Sequence, residues 1–209
     1  SEGFLWGGFG GNLYGTMKSY DRKPGQGGDG GDTCRFDGAA VRKSDPVVAA
    51  AGELDELCAH IGLCQAAAEA AKLAGQPDGQ VDDISAVLGR IQADLMAAGA
   101  MLSACGGRLA SPASLGQAEI ARLEAEIAAV AAGLGRLRLL ILPGGCELAC
   151  RLHVARCVCR RAERALVAAM DAGRACPAEV LGYVNRLGDL LFELARAANR
   201  DAGLEDLAR

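Results

Sequence analysis

Aromatic side chains make up only 4% of this 209-residue chain, and histidine occurs twice. Sandwiches and barrels draw on aromatic and β-branched strand formers, so this scarcity argues against them. The apolar share still reaches 51%, much of it alanine, which suits close-packed helices. Long hydrophobic runs are missing too. The longest stretch without a charge, residues 3–17, is shorter than the roughly 18 residues a membrane span needs and is rich in glycine. A soluble protein is expected, and a start at Ser1 rather than Met is compatible with a removed leader. The net charge of -4 argues against a general nucleic-acid binder, because the basic residues are gathered in one segment rather than spread over a surface.

A disulfide framework is also absent from the pattern. Nine cysteines is an odd number, and Cys58, Cys105, Cys157 and Cys159 sit inside helical patterns rather than loops. Thiols acting as small core residues in a reducing intracellular compartment, the cytoplasm or the mitochondrial matrix, fit that usage. Cys146, Cys150, His153 and Cys157 would share one helical face. One straight helix cannot wrap four ligands around zinc, however, since the outer two lie about 16 Å apart at 1.5 Å rise per residue. Neither His60 nor His153 has a Glu three residues upstream, as a di-iron bundle requires. Packing or hydrogen bonding, not metal ligation, is the expected role of both.

What the chain does have is helix punctuation. Residues 1–31 hold eleven glycines and read as a flexible arm over 1–26. Within it Gly25-Gln26-Gly27-Gly28-Asp29-Gly30 formally matches G-x-G-x-x-G. No strand precedes it and no helix follows, so a dinucleotide-binding fold is rejected, while a phosphate-cradling loop stays open. Asp45-Pro46 predicts a cap and first turn for a helix running to about residue 74. Apolar spacing predicts a second over 81–104, and Ser111-Pro112 predicts the start of a third ending near 132. A fourth follows Pro143-Gly144-Gly145 and runs to about 172, and a fifth runs from Pro177 to about Asp201. Five helices and no credible strand predict an all-α bundle with a single domain over 27–205.

Chemistry concentrates on the fourth and fifth helices. Five arginines fall between Arg151 and Arg164; at 100° per residue Arg156, Arg160, Glu163 and Arg164 share a face and Arg161 points elsewhere. Guanidinium is suited to bidentate phosphate contact, so a local anion site is expected. On the fifth helix Asn185, Asp189, Phe192 and Arg196 align opposite Leu187, Leu190, Leu191 and Leu194.

In order and spacing, Gly28-Asp29-Gly30-Gly31-x-Thr33, Lys43-Ser44-Asp45, Gly52-x-x-Asp55-Glu56-Leu57, Leu142-Pro143-Gly144-Gly145, His153-x-x-Arg156-x-x-Cys159-Arg160-Arg161-Ala162-Glu163-Arg164 and Asn185-Arg186-Leu187-x-Asp189-x-Leu191-Phe192 resemble the PduO-type ATP:cob(I)alamin adenosyltransferases. The resemblance implies a five-helix bundle forming a homotrimer, with ATP, Mg2+ and cobalamin bound between subunits. Cobalt(I) then attacks the 5′ carbon of ATP, yielding adenosylcobalamin and triphosphate. It also implies residue roles. ATP would be bound by Gly25, Gln26, Gly27, Gly28, Asp29, Thr33, Cys34, Lys43, Arg160, Arg161, Glu163, Arg164 and Asn185. Asp55 and Arg156 would form an inter-subunit pair near the reaction centre and, with Arg160, serve catalysis. Leu140, Asp189 and Phe192 would line the cobalamin pocket. The magnesium would arrive on ATP, with no protein-only metal site. A cobalamin reductase and an adenosylcobalamin-dependent acceptor enzyme are implied partners. The chain departs from the family pattern at Gln26, at Gly27 (usually Thr), at Ser44 (commonly Asp) and at Leu140, where an aromatic residue usually shields the cobalt. An alternative motivated by these departures is a catalytically weak protein of the same fold that binds and delivers adenosylcobalamin.

Overall fold

The computed structural model describes residues 28–35, 39–74, 84–104, 114–137 and 140–205. The glycine-rich arm expected over 1–26, together with Gly25, Gln26 and Gly27, lies outside them. Five α-helices dominate: α1 Pro46–Leu73, α2 Ile84–Ala104, α3 Gln117–Ala132, α4 Glu147–Asp171 and α5 Ala178–Asp201. Two strands were not expected. β1 Asp32–Cys34 and β2 Ala40–Arg42 pair antiparallel ahead of α1, with Thr33 opposite Val41. Three residues per strand are too few for alternation to show in the sequence.

Local chemistry sets most of the helix starts. The Asp45 carboxylate accepts from the Val47 amide at 3.0 Å, with Pro46 at the first helical position. It also meets the Arg174 guanidinium, at 2.7 Å, beyond the far end of α4. Pro177 directly precedes α5, whose first turn carries Glu179 and whose last carries Arg200, both matched to the helix dipole. The third start differs from expectation. Helix α3 opens at Gln117, where the Gly116 amide donates to the Glu119 carboxylate at 2.8 Å; Ser111 and Pro112 lie outside the described residues.

Helix α4 packs between α1 and α5, α2 packs on α1 and also touches α5, and α3 lies on α5. The core follows from apolar residues three, four and seven apart. Leu54, Leu57 and Ile61 of α1, Leu88, Ile91 and Leu95 of α2, and Leu187, Leu190, Leu191 and Leu194 of α5 are buried. Truncating any of these leucines to alanine removes about 2–5 kcal/mol of stability. A polar node ties three helices together: Asp94 of α2 accepts from the Tyr183 hydroxyl of α5 at 2.8 Å and pairs with Arg122 of α3. Burial and the Asp94 charge push the Tyr183 hydroxyl upward, so it remains a donor. Among the described residues no helix is long and apolar enough to cross a membrane.

The leucines of α5 face the core as expected. The stripe opposite them ends on Arg196. It is buried, and its guanidinium donates to the Gly135 carbonyl at 2.6 Å and to Glu193 at 2.8 Å. Packing of the α3–α4 connection against α5 covers a position that helical spacing alone leaves outside.

Candidate functional site

The hairpin brings the glycine loop to Lys43. Residues 28–31 turn tightly, the Gly31 amide donating to the Gly28 carbonyl at 3.1 Å, and the Lys43 amide donates to the Gly31 carbonyl at 2.8 Å. Arg42 braces the turn by donating to the Gly30 carbonyl at 2.8 Å and to the Asp32 carboxylate at 3.0 Å. Gly28 has φ +102°, and a Cβ there would lie 3.2 Å from the Lys43 ammonium nitrogen. The ammonium therefore sits against bare backbone. A glycine turn under an exposed lysine suits an anion, because backbone N–H groups and a full positive charge converge without side chains between them. Gly28, Asp29, Thr33 and Lys43 are thus gathered on one small unit, with Cys34 exposed at the end of β1. Arg42 went unnoticed in the sequence, where its only signal is its place beside Lys43.

A second group assembles along α4 and α5. The Cys159 thiol is buried at their seam and donates to the Val184 carbonyl at 3.1 Å. Burial pushes it up to about 12; Glu163 and Asp189 add to the rise, and Arg160 and Arg156 oppose it. Arg156 stacks its guanidinium 5.2 Å from the Phe192 ring centroid, and the His153 ring lies 6.3 Å from the same ring. Arg160 and Arg164 are exposed, linked by the Arg164 guanidinium donating to the Arg160 carbonyl at 2.9 Å. Asn185 and Asp189, one turn apart on α5, are exposed as well. Among the described residues, Arg156, Arg160 and Arg164 have no carboxylate partner.

Arg161 faces the other way. It donates to Glu53 at 2.5 Å and also to Glu56, both on α1, and these hydrogen bonds raise its already high pKa further. Asp55, exposed on the same helix, makes no ion pair with Arg156 within the chain. Leu140 is 87% exposed on the α3–α4 connection, near Leu142 at 46%. One chain therefore brings Arg156 to Phe192 but leaves Asp55 and Leu140 outside that cluster. Sequence reasoning missed Glu53 and Asn199, whose roles depend on which helix faces which.

The cysteine row on α4 divides. Cys159 and, on α1, Cys64 are buried, whereas Cys150 and Cys157 are exposed, so thiol packing accounts for only part of the set. Cys146 caps α4, its sulfur accepting from the Ala149 amide at 3.5 Å. Among the described residues no three His, Cys, Asp or Glu side chains gather as a metal cluster.

The chain is similar to known proteins over most of its length. The family model described as cobalamin adenosyltransferase matches residues 25–198. A cobalamin adenosyltransferase of Cupriavidus metallidurans is 42% identical over 180 residues, covering 86% of this chain and 89% of that one. A corrinoid adenosyltransferase of Bacillus subtilis is 36% identical over 196 residues, covering 91% of each. Among solved structures, a variant PduO-type ATP:corrinoid adenosyltransferase from Lactobacillus reuteri, complexed with cobalamin and ATP, superposes with a TM-score of 0.75 at 31% identity. The match covers 88% of this chain and 97% of that one.

Proposed function

The chain belongs to the cobalamin adenosyltransferase family, and from that premise we propose that it transfers the 5′-deoxyadenosyl group of ATP to cob(I)alamin. The cobalt(I) electron pair forms the bond to C5′, and the C5′–O bond breaks with its electrons leaving on triphosphate. Adenosylcobalamin is the other product, and no further oxidant or reductant enters this step. The observation that carries the reading is that Arg156, Arg160 and Arg164 of α4 have no carboxylate partner among the described residues, in a chain of net charge -4. A polyanion is the partner such a set suits, and charge developing on the leaving triphosphate is what fixed cations stabilise best.

In this reading Lys43 and the glycine turn at Gly28 and Asp29, with Thr33 and Cys34 beside it, take one end of the triphosphate. Arg160 and Arg164 take the other, and Glu163 and Asn185 hold the nucleoside. Arg161 reaches phosphate only by exchanging Glu53 and Glu56 for it. Mg2+ arrives on the phosphates and neutralises the leaving group; the protein itself offers no carboxylate cage among the described residues. Phe192 and Leu140 exclude water from the cobalt, with Asp189 at the pocket edge. Asp55 is free to meet Arg156 of a second copy, which is the arrangement a homotrimer with inter-subunit sites would produce. A reductase supplies cob(I)alamin, and an adenosylcobalamin-dependent enzyme consumes the product.

Anaerobic incubation with MgATP and chemically reduced cobalamin tests the proposal. Adenosylcobalamin and triphosphate should appear in equal amounts. Binding of both substrates with no triphosphate released would turn the reading to a carrier.

A further inference from the structure

One face of α5 grips both limbs of the α3–α4 connection. Arg196, Asn199 and Arg200 stand three and four residues apart, hence on one side of the helix. Arg200 donates to the Gly133 carbonyl at 3.1 Å and Arg196 to the Gly135 carbonyl at 2.6 Å, both on the incoming limb. On the outgoing limb the Asn199 amide nitrogen donates to the Gly144 carbonyl at 2.9 Å, while its oxygen accepts from the Cys146 amide at 3.0 Å. Asn199 is only 4% exposed, so both bonds are shielded from water. Gly145 is seated directly on this side chain: its φ is +111°, and a Cβ would lie 1.9 Å from the Asn199 oxygen. Only glycine fits that contact.

The held connection presents Leu140 and Leu142 to solvent at 87% and 46% exposure. An apolar leucine so exposed on a loop fixed at both ends requires explanation, because the ends of that loop are held by polar side chains of α5 while the leucine itself gains nothing from burial. Arg196 also lies 6.0 Å from the Phe192 ring centroid, so the same guanidinium contacts the loop and the edge of the aromatic cluster with Arg156.

We propose that Asn199 and Arg196 are positioning residues for the corrinoid, holding the α3–α4 connection so that Leu140 and Leu142 form a fixed apolar wall for that large ligand while leaving ATP contacts untouched. The inference rests on the adenosyl-transfer reading above. Positioning of this kind acts on one substrate: a loosened wall weakens corrinoid binding and leaves the phosphate hairpin as it was.

The test is steady-state kinetics of Asn199→Ala and Asn199→Asp beside the wild type, with both substrates varied and thermal unfolding measured in parallel. Loss of the paired hydrogen bonds should raise the corrinoid KM roughly ten-fold in Asn199→Ala while the ATP KM stays within about twofold. Asn199→Asp, which keeps the acceptor to Cys146 and loses the donor to Gly144, should fall between. A folded Asn199→Ala with both constants unchanged overturns the proposal, and so does a parallel rise in both, which marks a merely structural role. Hydrogen exchange of the wild type covers the case in which the variants fail to fold. Residues 140–146 should gain protection with cob(II)alamin alone and not with MgATP alone; protection by MgATP alone, or none with cob(II)alamin, overturns it. A wild type that binds both substrates but transfers nothing contradicts the functional reading, whereas an active wild type with insensitive variants contradicts only this inference.

Discussion

Two faces of one helix carry the same residue type in opposite situations. On the side of α4 turned to α1, Arg161 is held by Glu53 and Glu56; on the neighbouring face, Arg156, Arg160 and Arg164 have no carboxylate partner among the described residues. Adjacent in sequence, Arg160 and Arg161 are about 100° apart around the helix. Their difference shows that a run of arginines is not a uniform anion site. A guanidinium already bidentate to carboxylates must lose those bonds before it gains phosphate, whereas an unpaired one needs only to shed water.

Breaking the free side should produce the largest effect. Arg160→Ala is expected to raise the ATP KM or lower kcat/KM by roughly 10- to 100-fold, as loss of a charge-assisted bond implies, with unfolding temperature unchanged; a variant with normal kinetics removes Arg160 from the site. Next comes Asp55→Asn. If its partner is Arg156 of another copy, turnover should drop about ten-fold with the monomer fold intact by circular dichroism, and a fully active variant breaks that assignment. Arg161→Ala should cost less activity than Arg160→Ala, about two- to five-fold, and should instead loosen α1 from α4, read as faster hydrogen exchange along α1. An activity loss as deep as that of Arg160→Ala would erase the distinction between the two faces.

The remaining effect falls on stability against pH and leaves turnover near neutral pH unchanged. Burial pushes the Cys64 and Cys159 thiols up to about 12 from an ordinary value of 9.0. Above pH 9 the unfolded chain releases these protons while the folded chain keeps them. Stability is therefore full below pH 9 and falls as pH rises toward 12, by about 1.4 kcal/mol per pH unit for each thiol. Urea unfolding between pH 8 and 10 should show this slope, reduced in Cys159→Ala; an unchanged slope contradicts the burial of that thiol.

Helix positions were legible where short-range chemistry decides them. Asp45-Pro46 and Pro177 act within a turn, and the leucine spacing of α5 states its buried face outright. The third helix was placed too early because Ser111-Pro112 satisfies the same local rules as Asp45-Pro46, while the actual start uses a backbone amide and Glu119. The hairpin was invisible for want of length. Within the site, the wheel separated Arg161 from Arg156, Arg160 and Arg164 correctly, yet only the packing of α1 on α4 supplies Glu53 and Glu56. The burial of Arg196 was not legible either, because a loop distant in sequence covers it.

Calorimetric titration with magnesium tripolyphosphate, an anion without nucleoside, isolates the phosphate contacts in wild type, Arg160→Ala and Arg161→Ala. Affinity should fall at least about ten-fold in Arg160→Ala and only slightly in Arg161→Ala. Equal affinities in all three, or the reverse order, would contradict the claim that the unpaired face of α4 holds the triphosphate.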